Sequence, residues 1–354
     1  MAIRRSSLET FFARTWSRRD AAARALLPFS WLFGALSGLR RALYRRGVCK
    51  SERLPVPVVV VGNIFVGGTG KTPFTIWLVQ HLRALGFHPG VISRGYGGAA
   101  HAPRLVDVSA TADQVGDEPL LIAHRAGCPV MVARDRVAAG RALLAAHPEI
   151  DVLIADDGLQ HYRLARDVEI VLFDGRGIGN GWLLPAGPLR EPATRRRDFT
   201  VVNGSHDDAA RIAESYRMQL LGVLAEQLMS SAEPGGHAHT RALKSFAVTV
   251  SGFSPARIVA AAGIGNPERF FATLRACDIR FTEFPLPDHY DFADNPFADL
   301  PADVILITEK DAVKCRQNGA LRNDPRIWVV PVTAQIDTAL ADRIVEKLRG
   351  RSLA

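Results

Sequence analysis

Cysteine is scarce. The 354 residues hold four, Cys49, Cys128, Cys277 and Cys315, and no two form a CxxC pair. That argues against a zinc site or a disulfide framework and fits a reducing compartment. Long apolar runs are lacking as well. The apolar stretch Ala25 to Leu39 falls short of the roughly 20 residues that span a bilayer, and it contains Pro28 and two glycines. A cleaved signal peptide fits poorly, because arginines flank that stretch on both sides and no small-residue cleavage site follows. Acidic residues are nearly missing from the start of the chain. Residues 1–53 hold twelve Lys or Arg against Glu9, Asp20 and Glu52, a net +9 that leaves the other 301 residues at about −1. No aromatic stacking module accompanies this basic charge, so nucleic acid is not the expected partner. No internal repeat is present, and 47% hydrophobic with 23% charged residues is the composition of a folded chain.

The basic segment also carries Leu8, Phe11, Phe12 and Trp16. Further on, Leu32, Leu36, Leu39 and Leu43 share one helical face, with Arg40, Arg41, Arg45 and Arg46 beside them. An amphipathic helix lying on an anionic membrane surface is the favoured reading. The competing one is a helix packed on the domain with a solvated basic face.

Beyond it, PVPVVVVG (55–62) reads as a fully buried strand of the parallel-sheet type. Phe74, Trp77, Leu78, His81, Leu82 and Leu85 then fall on one helical face. Strands expected at 90–93, 129–133, 151–155, 168–173 and 199–202 alternate with helices at 117–126 and 135–147. Such alternation predicts an α/β fold, a parallel sheet flanked by helices on both faces. The pattern weakens around 205–245, and a second α/β unit follows with strands at 257–262, 279–284, 303–308 and 327–332. The expected organisation is a basic amphipathic segment at 1–50, a core at 51–210 and a connection at 211–245. A smaller α/β domain at 246–354 completes it, its last helix (337–348) able to pack back on the core.

Phe65 to Thr72, FVGGTGKT, sits between the first strand and the first core helix. Gly70, Lys71 and Thr72 match the phosphate-loop pattern GxxxxGK[ST], whereas Phe65 replaces its first glycine and Gly67 and Gly68 precede the match. In such a loop the backbone N–H groups from Phe65, Val66, Gly67, Gly68, Thr69 and Gly70 onward turn toward phosphate oxygens at a helix N-terminus. Lys71 would reach the β and γ phosphates, and the Thr72 hydroxyl would ligate Mg²⁺. The strand DVLIADDG ends in Asp156-Asp157, where carboxylates beside a phosphate loop hold Mg²⁺ directly or through water. Asp117-Glu118 opens a helix, either as cap and first-turn charge or as a functional pair. Arg94 and Arg190 lie in turn-rich stretches and could each hold a phosphate; His289 stands alone in LPDHYDF. GIGNP (263–267) lacks the third glycine of a dinucleotide fingerprint and is set aside.

Taken in order, GNIFVGGTGKTP, SRGYGG, VGDEP, ADDGLQH, LLPAGPLREP, PDHYDF and TEKDAVK closely resemble the tetraacyldisaccharide 4′-kinase (lipid A 4′-kinase) family from about residue 55 to 315. One departure is Phe65, where a small polar residue is expected. The resemblance implies a P-loop NTPase-like core and transfer of the γ-phosphate of ATP, with Mg²⁺, to the 4′-hydroxyl of a tetraacylated glucosamine disaccharide 1-phosphate, giving lipid IVA. It also implies a peripheral enzyme on the cytoplasmic face of a bacterial inner membrane, and a monomer is expected. By the same resemblance, Asp117 is the general base, His289 its partner from the second domain and Lys71 a catalytic lysine. Thr72, Glu118 and Asp157 take part in Mg²⁺ binding with Asp156 supporting them, and domain closure completes the site. The rival class is a ParA- or MinD-like membrane switch ATPase, which usually carries an extra lysine early in the loop, where this chain has Phe65 and Val66. A metal-insertion chaperone is disfavoured by the lack of a Cys/His cluster.

Overall fold

The basic N-terminal segment forms three helices, α1 (Ser7–Ser17), α2 (Ala21–Ala25) and α3 (Leu27–Arg45). The computed structural model describes residues 7–350 apart from 96–101, 108, 211, 230–238 and 248–256. The YGG half of SRGYGG and residues 230–238 of the weakly patterned stretch around 205–245 thus lie outside the described residues. In α3 the small residues make the anchoring contacts. Ser30 is buried, donates to the Leu183 carbonyl at 2.9 Å and accepts from the Ala186 N–H at 2.9 Å. A side chain at Gly34 would come within 2.9 Å of Leu183. Leu32, Leu36 and Leu39 instead face out, each close to 60% exposed, together with Phe29 and Trp31.

The core begins with β1 (Val58–Asn63), the glycine-rich loop and α4 (Lys71–Ala84). It continues through β2 (Pro89–Ser93), β3 (Arg104–Leu105), α5 (Ala112–Val115), α6 (Asp117–Ala126), β4 (Val130–Val132) and α7 (Arg136–Ala146). Then come β5 (Val152–Asp156), β6 (Val168–Asp174), β7 (Phe199–Asn203), α8 (His206–Ala210) and β8 (Ser215–Leu221). The second unit follows with β9 (Leu224–Gln227), β10 (Thr240–Ala242), β11 (Ile258–Ala262), α9 (Pro267–Arg275) and β12 (Thr282–Pro285). It ends with β13 (Val304–Thr308), α10 (Glu309–Cys315), α11 (Gly319–Arg322) and β14 (Ile327–Val330), after which β15 (Thr333–Ile336) and α12 (Ala339–Arg349) close the chain.

Among the described residues nine strands form one sheet in the order β15-β8-β7-β6-β1-β5-β2-β4-β3, and six form another in the order β10-β9-β14-β13-β11-β12. The large sheet is parallel except at its two edges, where β3 and β15 run antiparallel to their neighbours. Strand β1 lies between β5 and β6, with Val61 in register with Asp156, so the loop after β1 and the acidic tip of β5 emerge side by side. Valines and isoleucines fill these central strands because both faces are covered. On one face Phe74, Leu78 and Leu82 of α4 pack with Leu340 and Ile344 of α12; on the other, Leu143 of α7 packs with Leu153 and Leu164. Leu85, placed on the buried face of α4 by periodicity, is 41% exposed because the helix stops one residue earlier. The sheets do not divide the chain at one point. Residues 224–227 and 240–242 belong to the small sheet, whereas β15 and α12, at the end of the chain, return to the large one.

Candidate active site

The loop from Phe65 to Thr72 is shaped by glycine and two asparagines. Gly67 and Gly70 have φ of 103° and 94°, a region that side chains disfavour. The Asn63 amide donates to the carbonyls of Phe65 at 2.7 Å and Gly67 at 2.9 Å, and Asn203 donates to that of Thr69 at 3.2 Å. With these carbonyls tied back, the loop's N–H groups from Gly67 onward are left to face an anion at the N-terminus of α4, whereas the Val66 N–H, expected to do the same, donates to the Pro188 carbonyl at 3.0 Å. The Phe65 side chain is buried in the core, and the Arg176 guanidinium lies 4.2 Å from its ring centroid. The residue that departs from the loop pattern is therefore a packing anchor. Lys71 lies 3.4 Å from Asn63 Oδ1 and 3.7 Å from Asp157 Oδ1.

Two carboxylates end β5. Asp156 is fully buried; desolvation, with Glu118 nearby, raises its pKa to about 7. One of its oxygens accepts from the Thr75 hydroxyl at 3.1 Å, and the other makes no hydrogen bond. Asp157 follows in a left-handed turn (φ 49°), and its Oδ1 is likewise buried without a hydrogen bond. Orphaned carboxylate oxygens beside a lysine and a threonine hydroxyl suit a hard divalent cation. Among the described residues no group of three or more His, Cys, Asp or Glu side chains is gathered to hold a metal by itself. Mg²⁺ here would draw on Asp157, Glu118 and the Thr72 hydroxyl, with phosphate oxygens and water filling the rest.

Asp117 is the first residue of α6, with Gly116 as the cap; its carboxylate accepts from the N–H of Glu118 at 3.0 Å and makes no N-cap bond. It is 5% exposed, and three cationic or protonatable groups reach its Oδ2: His289 Nδ1 at 3.0 Å, Lys310 at 3.6 Å and Lys314 at 3.7 Å. Burial alone would raise its pKa, but the His289 hydrogen bond and the two ammonium groups outweigh that and hold it down at about 2. The hydrogen bond to Asp117 in turn raises the pKa of His289, against the effect of desolvation. Lys310 also reaches Glu118 at 3.3 Å.

His289 is held in place by the second unit. Its φ is 59°, and its N–H donates to the carbonyl of Gly263 at 3.1 Å. The Gly263 N–H donates to the buried carboxylate of Asp311 at 3.1 Å, and Asp311 is held in turn by Thr308 at 2.6 Å. Lys314 bonds the Tyr290 carbonyl at 3.0 Å. The TEKDAVK segment thus supplies the lysines beside Asp117 and also the brace behind His289.

Arg190 lies 3.9 Å from Asp157 Oδ1, whereas Arg94 is exposed at the end of β2. Sequence reasoning overlooked Arg136, buried beneath the acidic tip, with Nη2 3.4 Å from the Asp157 carbonyl. It also overlooked Arg269 of α9, which crosses to the core, donating to the Gly68 carbonyl at 3.2 Å and pairing with Asp174 at 2.7 Å. A further ion pair, Arg125–Glu309, joins the two units. Lys310 and Lys314 were visible only as part of a motif; nothing in their spacing announces a carboxylate nearly two hundred residues away.

A phosphate loop beside an acid-tipped strand, facing a carboxylate–imidazole pair, defines a P-loop phosphotransferase built on two α/β units. The comparisons narrow that class. The family profile described as tetraacyldisaccharide-1-P 4′-kinase matches residues 22–349, and the chain belongs to that family. It is 68% identical over 354 residues to a protein of Herminiimonas arsenicoxydans named tetraacyldisaccharide 4′-kinase, covering 100% of this chain and 99% of the relative. A Janthinobacterium sp. (strain Marseille) protein of the same name is 67% identical, with both chains fully covered. The fold is similar to the crystal structure described as an "apo" form of LpxK from Aquifex aeolicus in complex with ATP. That match has a TM-score of 0.74 and 27% identity, over 92% of this chain and 99% of the other.

Proposed function

We propose that this protein transfers the γ-phosphate of ATP to the 4′-hydroxyl of a tetraacyldisaccharide 1-phosphate, forming lipid IVA. The observation that carries the reading is the Asp117–His289 pair at 3.0 Å, formed by one group from each unit on the side of the sheet where the phosphate loop opens. A carboxylate held at about 2 is by itself a weak acceptor for an alcohol proton. Coupled to an imidazole of raised affinity, it orients the hydroxyl while the pair as a whole takes up the proton. Lys71 neutralises charge on the β and γ phosphates, and Thr72, Glu118 and Asp157 hold Mg²⁺, which when bound supplies electrostatic stabilisation of the transferring group. Arg94 and Arg190 are assigned to substrate phosphate. Closure of the second unit, 224–330 by its sheet, over the core excludes water, and Arg269 on Gly68 adds to the contacts between the two units that His289, Lys310 and Glu309 make.

No helix among the described residues is long and apolar enough to cross a membrane. The outward leucines of α3 and the arginines beyond them support peripheral association with an anionic membrane surface; a monomer on the cytoplasmic face of a bacterial inner membrane is the accompanying proposal. The test is incubation with ATP, Mg²⁺ and the acylated disaccharide 1-phosphate, followed by mass spectrometry of the lipid. One added phosphate at the 4′ position is expected; ATP hydrolysis with an unmodified lipid would overturn the assignment.

A further inference from the structure

At the C-terminal end of α3 a groove of about 670 Å³ opens between that helix and the segments around 162–169 and 192–196. It shares no lining residue with the phosphate loop, Asp117 or His289. Its floor is Tyr162, with the guanidiniums of Arg40, Arg166 and Arg195 at 5.7, 5.6 and 5.9 Å from the ring centroid. Two carboxylates answer part of this charge. Glu169 pairs with Arg166 at 2.9 Å and Arg195 at 2.6 Å, and Glu191 pairs with Arg195 at 2.6 Å and Arg41 at 3.2 Å. Arg45 and Arg196, on the groove's exposed walls, make no ion pair among the described residues. Five lining arginines against two glutamates leave an excess of positive charge around a cavity with hydroxyl donors. That is the chemistry of a phosphate seat.

Its position specifies the source of the phosphate. Leu32, Leu36 and Leu39 stand exposed on α3, and Arg45, six residues past Leu39, comes about 9 Å further along the helix axis and about 240° around it, on the groove side of the helix. A helix whose apolar stripe enters the acyl boundary holds the groove on its other side one helix diameter, ~10 Å, above that stripe, at headgroup depth. We propose that this groove seats the phosphodiester of an anionic phospholipid headgroup, with Arg45 and Arg196 as its two arms. The proposal rests on the membrane-surface reading of α3 and is independent of the kinase reading.

The test uses full-length protein and vesicles of phosphatidylcholine with or without phosphatidylglycerol. R45Q/R196Q should lose at least about a hundred-fold in partitioning onto the phosphatidylglycerol vesicles, at roughly 1.5–3 kcal/mol for each charge-assisted arginine–phosphate hydrogen bond. Soluble glycerol phosphate should compete with wild type for the same vesicles. R18Q/R24Q, a pair of exposed arginines of the same segment outside the groove, should lose much less. Equal losses for the two pairs would mean diffuse attraction without a seat, and unchanged binding by R45Q/R196Q would mean no role; either overturns the proposal. So would a raised KM for the acylated disaccharide in detergent micelles with vesicle binding intact, which would assign the groove to the substrate's own phosphate. If L32Q/L36Q/L39Q binds vesicles like wild type, the surface reading itself falls, a result separable from failure at the groove and from failure of phosphotransfer.

Discussion

Asp117 is more acidic than an ordinary aspartate although it is buried, because His289 and two lysines surround it. Replacing Asp117 or His289 with Ala should lower phosphate transfer by roughly 10²- to 10⁴-fold in a steady-state assay. The pH profile carries a sign. A protonated His289 already holds the proton that the pair must accept, so kcat/KM should rise with pH through a value above the ordinary 6.5. His289→Ala should remove that limb. The contact between the units behaves in the opposite sense. A raised histidine pKa stabilises the folded form below the unfolded value and ceases to do so as pH rises through the folded value. The depressed Asp117 contributes above its ordinary 3.8 and fails as pH falls toward about 2. Docking should therefore be firmest in the mildly acidic range. Gly70 makes a different prediction, about geometry. Its φ is 94°, and an added Cβ would stand 2.7 Å from the Asn203 amide and 2.9 Å from Met218. Gly70→Ala should weaken ATP binding at least tenfold by calorimetry, since a shift of about 1 Å in a binding loop costs that much or more.

At the scale of elements, the connection from α10 to the histidine loop is the part most open to experiment. Asp311 holds Gly263, whose carbonyl holds His289. Asp311→Ala should reduce kcat about tenfold with little change in KM for ATP, while Asp311→Asn, which keeps an acceptor for the Gly263 N–H, should recover most of it. Burial raises the Asp311 pKa to about 6, and Asn carries no charge to desolvate, so Asn should also remove the stability lost in wild type as pH climbs from about 4 to 6. In α3, Ser30→Ala leaves the Ala186 N–H without its acceptor and should cost about 1–3 kcal/mol in a denaturant melt.

These elements differ in how plainly the sequence announces them. The phosphate loop and the Asp156-Asp157 tip could be read directly, because a strand, a glycine turn and a helix follow each other within the local chain. The α3 helix was legible as amphipathic but not in how it packs. Four leucines mark its apolar face, yet Ser30 and Gly34 make the contact, since close approach to the 183–186 turn favours small side chains. The lysines at 310 and 314, Arg136 and Arg269 were opaque for one shared reason. Each acts on a partner set by the packing of separate elements, and no spacing rule reaches across that distance.

For the molecule as a whole, the decisive fact is that the two units are interleaved. The first sheet ends in β15, and α12 covers α4 with Leu340, Ile344, Val345 and Leu348. Each such side chain contributes about 1.5–3 kcal/mol when buried, so their loss together is comparable to the stability of a domain. A chain ending at residue 332 should lose cooperative unfolding and ATP binding, as read by calorimetry, even though every residue of the phosphate loop is present.

That return of the chain terminus also sets a timetable. Residues of α4 leave the ribosome about 250 residues before the helix that will cover them. At ~5–20 residues per second, the nascent nucleotide fold waits ~10–50 s with one face uncovered. A chain that has not yet reached α12 is therefore a natural client for chaperones, and the nucleotide fold is completed only once that helix has emerged and docked on α4.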